Sequence, residues 1–426
     1  MEKSVKPLAK KAIISIACLT PIALVCGFAV PYNHKQNIIC TGSSSVKPIV
    51  ETMANNFINE NPSLSYDVTC EGGGSGYGIS QVINGLTDIG MASKNPFSNA
   101  LKSKDIWINK KIKTITLGWE SLCFVYIPPV GLSNYDPDYL NSLLTIVDIN
   151  KDVSSLSEND PSILNLYYAF SGWGYQCYNL GHIKKEPYKL STFIDKNKNI
   201  DPNDVSLLEK TDILPYARSG GALTSGTASA FYECSHFTNF ENDKENNLLN
   251  AKQIAAFKTG QYGKDFHVYD TDEANSRSWD VFSKNNIPGS LIYLSSGFIQ
   301  ENYDLIVSKH YGIMTYNHIK FSIDNVGNGY NFFRPINIIV SLENNDSFNE
   351  IKRFATWLIF ESQVEQWKKM GLKKVNDHQI QSMCSKQSKL PEPSDRLFDE
   401  LSSDNQLMTE RSDAWDKKQT ILGAIE

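Results

Sequence analysis

Residues 41–97 read TGSSSVKPIVETMANNFINENPSLSYDVTCEGGGSGYGISQVINGLTDIGMASKNPF, and the fold follows from them outward. Ile38-Ile39-Cys40 is a short apolar segment that ends in the loop Thr41-Gly42-Ser43-Ser44-Ser45. Val50, Met53, Ala54, Phe57 and Ile58 then recur at helical spacing until Asn61-Pro62 stops them. Leu64, Tyr66, Val68 and Cys70 alternate as a half-buried strand does, and Gly72-Gly73-Gly74-Ser75-Gly76 opens a helix carrying Ile79, Val82 and Ile83. After Gly85, Asp88-Ile89-Gly90-Met91-Ala92 is a third strand. The order β-α-β-α-β implies a parallel sheet with right-handed crossovers, whose loops gather at one edge, where ligands bind.

The two glycine-serine loops share their chemistry with a distant third segment, Arg218 followed by Thr224-Ser225-Gly226-Thr227. Glycine lets backbone approach a ligand, hydroxyls donate hydrogen bonds, and the first N–H groups of a helix have no internal partner. Arg218 adds a planar guanidinium able to donate two parallel hydrogen bonds. Together the three segments predict a cage for a small tetrahedral anion. Ser43 to Ser45 alone would read as a plain helix cap before Pro48; with the other two loops they read as part of the cage.

The chain of 426 residues is too long for one ordinary core, and 41% hydrophobic with 21% charged residues is the composition of a folded protein. A net charge of -6 argues against broad nucleic-acid binding, which needs a basic surface. Lys3, Lys6, Lys10 and Lys11 precede the uncharged apolar stretch 12–30, about long enough to cross a bilayer, so the lysines stay inside and the rest lies outside the cell membrane. The reading is a signal anchor or transmembrane helix, with a cleaved signal or a lipid anchor at Cys18 or Cys26 as alternatives. Cys40, Cys70, Cys123, Cys177, Cys234 and Cys384 show no C-x-x-C spacing and the histidines are scattered, so neither metal nor cofactor is expected. Cys40 and Cys70 end two strands before the glycine loops; they read as buried small hydrophobes, with approach of the two thiols as the alternative.

Residues 122–127, closed by Pro128-Pro129, are expected to make a first crossing into a second α/β unit, and 332–340 the return, followed by a helix carrying Ile351, Phe354, Ala355, Leu358 and Ile359. Residues 1–36 then form the N-terminal segment, 37–127 with 333–426 the first lobe, and 128–332 the second, with 376–426 a peripheral tail.

The run 41–97 closely resembles the opening of the phosphate-binding proteins of ABC-type phosphate importers. Ala169-Phe170-Ser171-Gly172-Trp173, Arg218 through Phe231, residues 290–298 and Phe333-Arg334-Pro335 are similar to further segments of that family, from about Ile38 to about Val375. The resemblance implies a two-lobed type II periplasmic-binding-protein fold, two doubly wound sheets joined by two crossing strands, closing on one phosphate and delivering it to ABC permease subunits. Carried over by position, Ser44, Ser45, Val46, Ser75 and Gly76 would donate from one lobe, and Arg218, Ser225, Gly226 and Thr227 from the other. Two departures stand out. Ser219 to Thr224 lengthen the arginine loop by three residues, so that either the loop bulges or Ser219-Gly220 replaces the serine. Lys94 stands where some members carry a proton-accepting aspartate, so it becomes a candidate source of local positive charge.

Hydrogen phosphate carries a proton that sulfate lacks, so a discriminating cage needs an acceptor. Glu120 is the first candidate and Glu71 the second. A phosphate-ester hydrolase using the same cage would need a base or metal beside a serine, and none of the matched motifs contains a histidine. A surface lipoprotein or adhesin on a degenerate binding fold is the third reading.

Overall fold

Ile38 and Cys40 face one side of the first strand and pack with Val50, Met53, Ala54 and Phe57 of the following helix, so the apolar spacing is spent on one shared core. The computed structural model describes residues 36–64, 66–94, 112–148, 163–171, 175–176, 183–184, 187–234, 251–264, 266–341 and 348–375. The N-terminal segment, Trp173, Cys177, Cys384 and the tail 376–426 lie outside them. No helix among the described residues is long and apolar enough to cross a membrane.

The opening run folds as β1 (Gln36–Gly42), α1 (Lys47–Glu60), β2 (Tyr66–Gly72), α2 (Ser75–Ile83) and β3 (Ile89–Ala92). β1 pairs in parallel with β2 and with β3, as the β-α-β-α-β reading requires. Strand β4 (Ile112–Tyr126) is far longer than the apolar 122–127 segment suggested. Its first half is masked in the sequence by threonines: Thr114 and Thr116 are buried, and Thr116 Oγ1 donates to Asn337 Oδ1 at 2.8 Å. A polar residue inside a sheet is tolerated when its hydrogen bond is made.

The second group of strands is β5 (Leu214–Ala217), β6 (Tyr269–Asp270), β7 (Ser290–Ser295) and β8 (Gly312–Ile313); β9 (Phe333–Ser341) and β10 (Leu372–Lys374) return to the first. The strand order is β2-β1-β3-β9-β4-β7-β5-β6, with β8 and β10 also on β4. β9 runs antiparallel to both β3 and β4, and β7 antiparallel to β4. This is the two-lobed α/β fold of the type II periplasmic class, with β4 and β9 as the crossing strands.

The core changes hands inside these two strands. Ile115 and Leu117 pack with the first cluster, while Leu122 to Ile127 pack with the second; on the return Phe332 belongs to the second and Ile336 to the first. The second cluster centres on Phe124, Phe170, Phe231, Tyr293 and Phe332, with Phe231 stacked on Tyr293 at 5.0 Å between ring centroids. Each such ring contributes about 1.5–3 kcal/mol by burial, and together they hold β7 and the helix after Ser225 in a fixed relation.

Candidate anion-binding site

Three helix starts supply the site. α1 begins after Val46, which offers no side-chain cap and whose N–H donates to Ser43 O at 3.1 Å. α2 begins after Gly74, again with no side-chain cap. In the second lobe the short turn α3 (Gly221–Thr224) leads into α4 (Gly226–Cys234), where Ser225 Oγ accepts from Ala228 N at 3.1 Å. First-turn amides without internal partners leave each start electropositive. Within the lengthened arginine loop Gly221–Thr224 form α3, and Ser225-Gly226-Thr227 stand at the head of α4.

These starts meet across the cleft. Ser45 Oγ lies 3.4 Å from Thr227 Oγ1. Ser43 Oγ lies 2.9 Å from Ser93 Oγ, which lies 3.4 Å from Ser75 Oγ, and Ser93 N donates to Ser75 Oγ at 3.1 Å. Gly226 packs so closely against this group that a Cβ there would collide with Ser93 Oγ and stand 2.6 Å from Ser75 Oγ. Gly78 does the same service behind the site: a Cβ would stand 2.7 Å from Gly42 Cα, so its absence lets α2 lie directly on the end of β1. Ser44 is half-buried beside Gly72, and Gly76 is half-buried in the first turn of α2.

Two buried arginines flank the cleft, each 1% exposed. Arg218 turns its terminal nitrogens into its own lobe, donating to Ala274 O at 3.1 Å, Asn275 Oδ1 at 2.6 Å and Tyr293 O at 2.9 Å, and also to Ser278 Oγ. Its Nε is buried without a partner, a donor left over for a ligand. Burial lowers the Arg218 pKa, with Arg334 adding to the lowering, yet a guanidinium stays charged at any physiological pH. The expected two-pronged grip on an anion by its terminal nitrogens is thus replaced by a structural role and one free N–H.

Arg334 was legible only as part of an Arg-Pro pair. It stands opposite Glu120 in the β4–β9 register, donates to Glu120 Oε2 through Nε at 2.9 Å and Nη2 at 2.7 Å, and reaches Thr227 Oγ1 with Nη1 at 2.9 Å. One side chain therefore joins both crossing strands to the head of α4. Glu120, 2% exposed, is committed to this ion pair. Glu71 is exposed near the end of β2, opposite Thr41 in the β1–β2 register. Lys94 is 2% exposed and donates to Leu223 O at 3.3 Å, so its charge is buried at the seam between the lobes.

The carboxylate that sequence reasoning missed is Glu273, half-buried between β6 and the helix Asn275–Asn285. Burial raises its pKa, while a hydrogen bond with Ser225 and the fields of Arg218 and Arg334 pull it down. Nothing in the local pattern Asp270-Thr271-Asp272-Glu273 separates it from a surface loop; a strand-end position was the available signal.

The strand order and paired crossings define a two-lobed α/β binding-protein fold. No protein-family model matches the chain. It is 30% identical over 361 residues to the uncharacterized lipoprotein MG412 of Mycoplasma genitalium, which covers 80% of this chain and 83% of that protein, and it belongs to the same family. Among solved structures it resembles an ABC-type phosphate transport receptor from Vibrio cholerae (17% identity, 80% of this chain and 100% of that one, TM-score 0.46). It also resembles the sulfate-binding protein SubI from Mycobacterium tuberculosis (11% identity, 84% and 92%, TM-score 0.42). The fold class stands on the strand order and not on these likenesses.

Proposed function

We propose that the cleft captures one inorganic phosphate and that the protein is the extracytoplasmic substrate-binding component of an ABC importer. The observation that carries this reading is the meeting of Ser45, Ser75 and Ser93 with Gly226 and Thr227, beside two buried arginines, at the heads of three helices. Ser44, Ser45, Val46, Ser75 and Gly76 donate from a first lobe (37–127 and 333–426), and Arg218 Nε, Ser225, Gly226 and Thr227 from a second (128–332). Arg334 and Lys94 supply further positive charge. The resemblance of 41–97 to phosphate-binding proteins supports phosphate among the tetrahedral oxyanions. Capture needs no bond to be made or broken: contacts with both sides shift the open and closed populations. Ser43, Ser45, Ser75 and Ser93 contact one another or Thr227, so four of the site's hydroxyls are already held in place to face a ligand.

Calorimetry with phosphate, sulfate, molybdate and a phosphate ester tests the reading. Phosphate is expected to bind tightest, and to raise the melting temperature; absence of binding by every oxyanion would end the proposal.

Glu273 replaces Glu120 and Glu71 as the acceptor of the ligand proton. Above its raised pKa it is a carboxylate, which accepts from hydrogen phosphate and repels sulfate; below it, the acid form donates to a sulfate oxygen. Sulfate does not titrate in this range. Its affinity for the wild-type protein should therefore rise by roughly tenfold as pH falls from about 8 to about 5, while Glu273→Gln binds sulfate with little pH dependence. A flat wild-type profile removes Glu273 from the role.

The lipoprotein name of the Mycoplasma genitalium relative favours a lipid anchor at Cys18 or Cys26 over the uncleaved helix. Labelled palmitate should enter the wild-type chain and be lost from the double variant Cys18→Ala/Cys26→Ala; unlabelled wild-type protein would return the reading to the helical anchor.

A further inference from the structure

Cys40 and Cys70 lie outside the anion contacts, on neighbouring parallel strands. They are direct register partners in β1 and β2, one residue before Thr41-Gly42 and Glu71-Gly72. Both belong to the first core cluster, as does Ile38 two residues earlier, with Val68 packed against it, so the two thiols share one face of the sheet. Cys40 is fully buried and Cys70 is 9% exposed. Both are free thiols in the structure.

We propose that Cys40 and Cys70 form a disulfide that staples the bases of the first two anion loops. Parallel neighbours stand about 4.8 Å apart at Cα, inside the roughly 4.4–6.8 Å that a disulfide spans, though its Cβ atoms prefer about 3.5–4.5 Å. β2 ends the strand order and pairs with β1 alone among the described strands, so it can close the remaining few tenths of an ångström. The cross-link would sit directly below the turn in which Gly73 N and Gly74 N donate to Gly42 O at 2.8 and 2.9 Å.

The oxidant is a low-molecular-weight disulfide, oxidised glutathione serving in the test. The Cys70 thiolate, the more accessible, attacks one glutathione sulfur and displaces one glutathione thiolate. Cys40 then loses its proton, attacks Cys70 Sγ in the mixed disulfide and displaces the second. Two protons and two electrons leave with two reduced glutathiones, and one S–S bond is gained. The neighbouring Cys70 and burial raise the Cys40 pKa; burial persists in the mixed disulfide and slows the second step in the folded chain, so the bond closes while the β1–β2 pair is still accessible during folding. The proposal takes an oxidising compartment from the extracytoplasmic reading, but its chemistry is testable without any ligand.

The full chain, refolded in a glutathione buffer rich in the oxidised form, is unfolded, alkylated with N-ethylmaleimide and mapped as peptides. Cys40 and Cys70 are expected in one cross-linked pair that escapes alkylation, and reduction is expected to lower the melting temperature by roughly 5 °C. Alkylation of both residues in most molecules would overturn the proposal. Phosphate binding by that alkylatable protein would leave the receptor reading intact; a cross-linked protein that binds no oxyanion would do the reverse.

Discussion

Arg334→Ala is expected to lose phosphate binding by a factor of a hundred or more and to melt far below the wild type. Removing one partner of a buried ion pair leaves Glu120 charged, desolvated and alone, at a cost of about 3–5 kcal/mol. In a protein of this size that is a fall of roughly 10 °C. The same truncation takes from Thr227 Oγ1 the donor that holds the head of α4 against the crossing strands. Stability and binding can be separated by changing both partners. Arg334→Met with Glu120→Leu replaces the pair by apolar groups of similar volume, which is often neutral or stabilising. That double variant should recover most of the lost melting temperature and stay deficient in phosphate binding. If calorimetry shows it binding like the wild type, Arg334 is scaffolding and the site must be redrawn.

Gly226→Ala should give the opposite combination, a protein as stable as the wild type that does not close. Gly226 is the first residue of α4 and its backbone is not in the left-handed region, so alanine suits it conformationally. Its added methyl, however, meets Ser75 Oγ and Ser93 Oγ, both on fully buried serines tied to each other. Ser93 is tied in turn to Ser43, so moving it aside breaks a buried network. The ligand-free melting temperature should change by no more than a few degrees, while phosphate affinity falls by about a hundredfold and the ligand-induced thermal shift disappears. A retained shift at millimolar phosphate would show that the close approach at Gly226 is not needed for capture.

The contrast between these two variants reflects how the site is built. Arg334 brings a buried charge, so its loss is expected to damage folding as well as binding. Gly226 leaves a volume empty, so adding a methyl there is expected to damage closure more than stability.

Much of this was written locally in the chain. The helical recurrence of Val50, Met53, Ala54 and Phe57, the alternation through Val68 and Cys70, and the glycine loops at Gly42 and Gly74 specified β1 through β3, because period and turn chemistry act between near neighbours. The same local logic placed Ser45, Ser75 and Thr227 at helix starts. Only tertiary structure decided which groups face one another across the cleft. Glu120 and Arg334 are 214 residues apart and meet because β4 and β9 pair in one register; Lys94 is buried because α3 covers it; Arg218 is consumed by carbonyls of a distant loop. Sequence period fixes which side of an element is apolar, whereas the partner of a buried charge depends on long-range packing that cancels its desolvation, and that has no local signature.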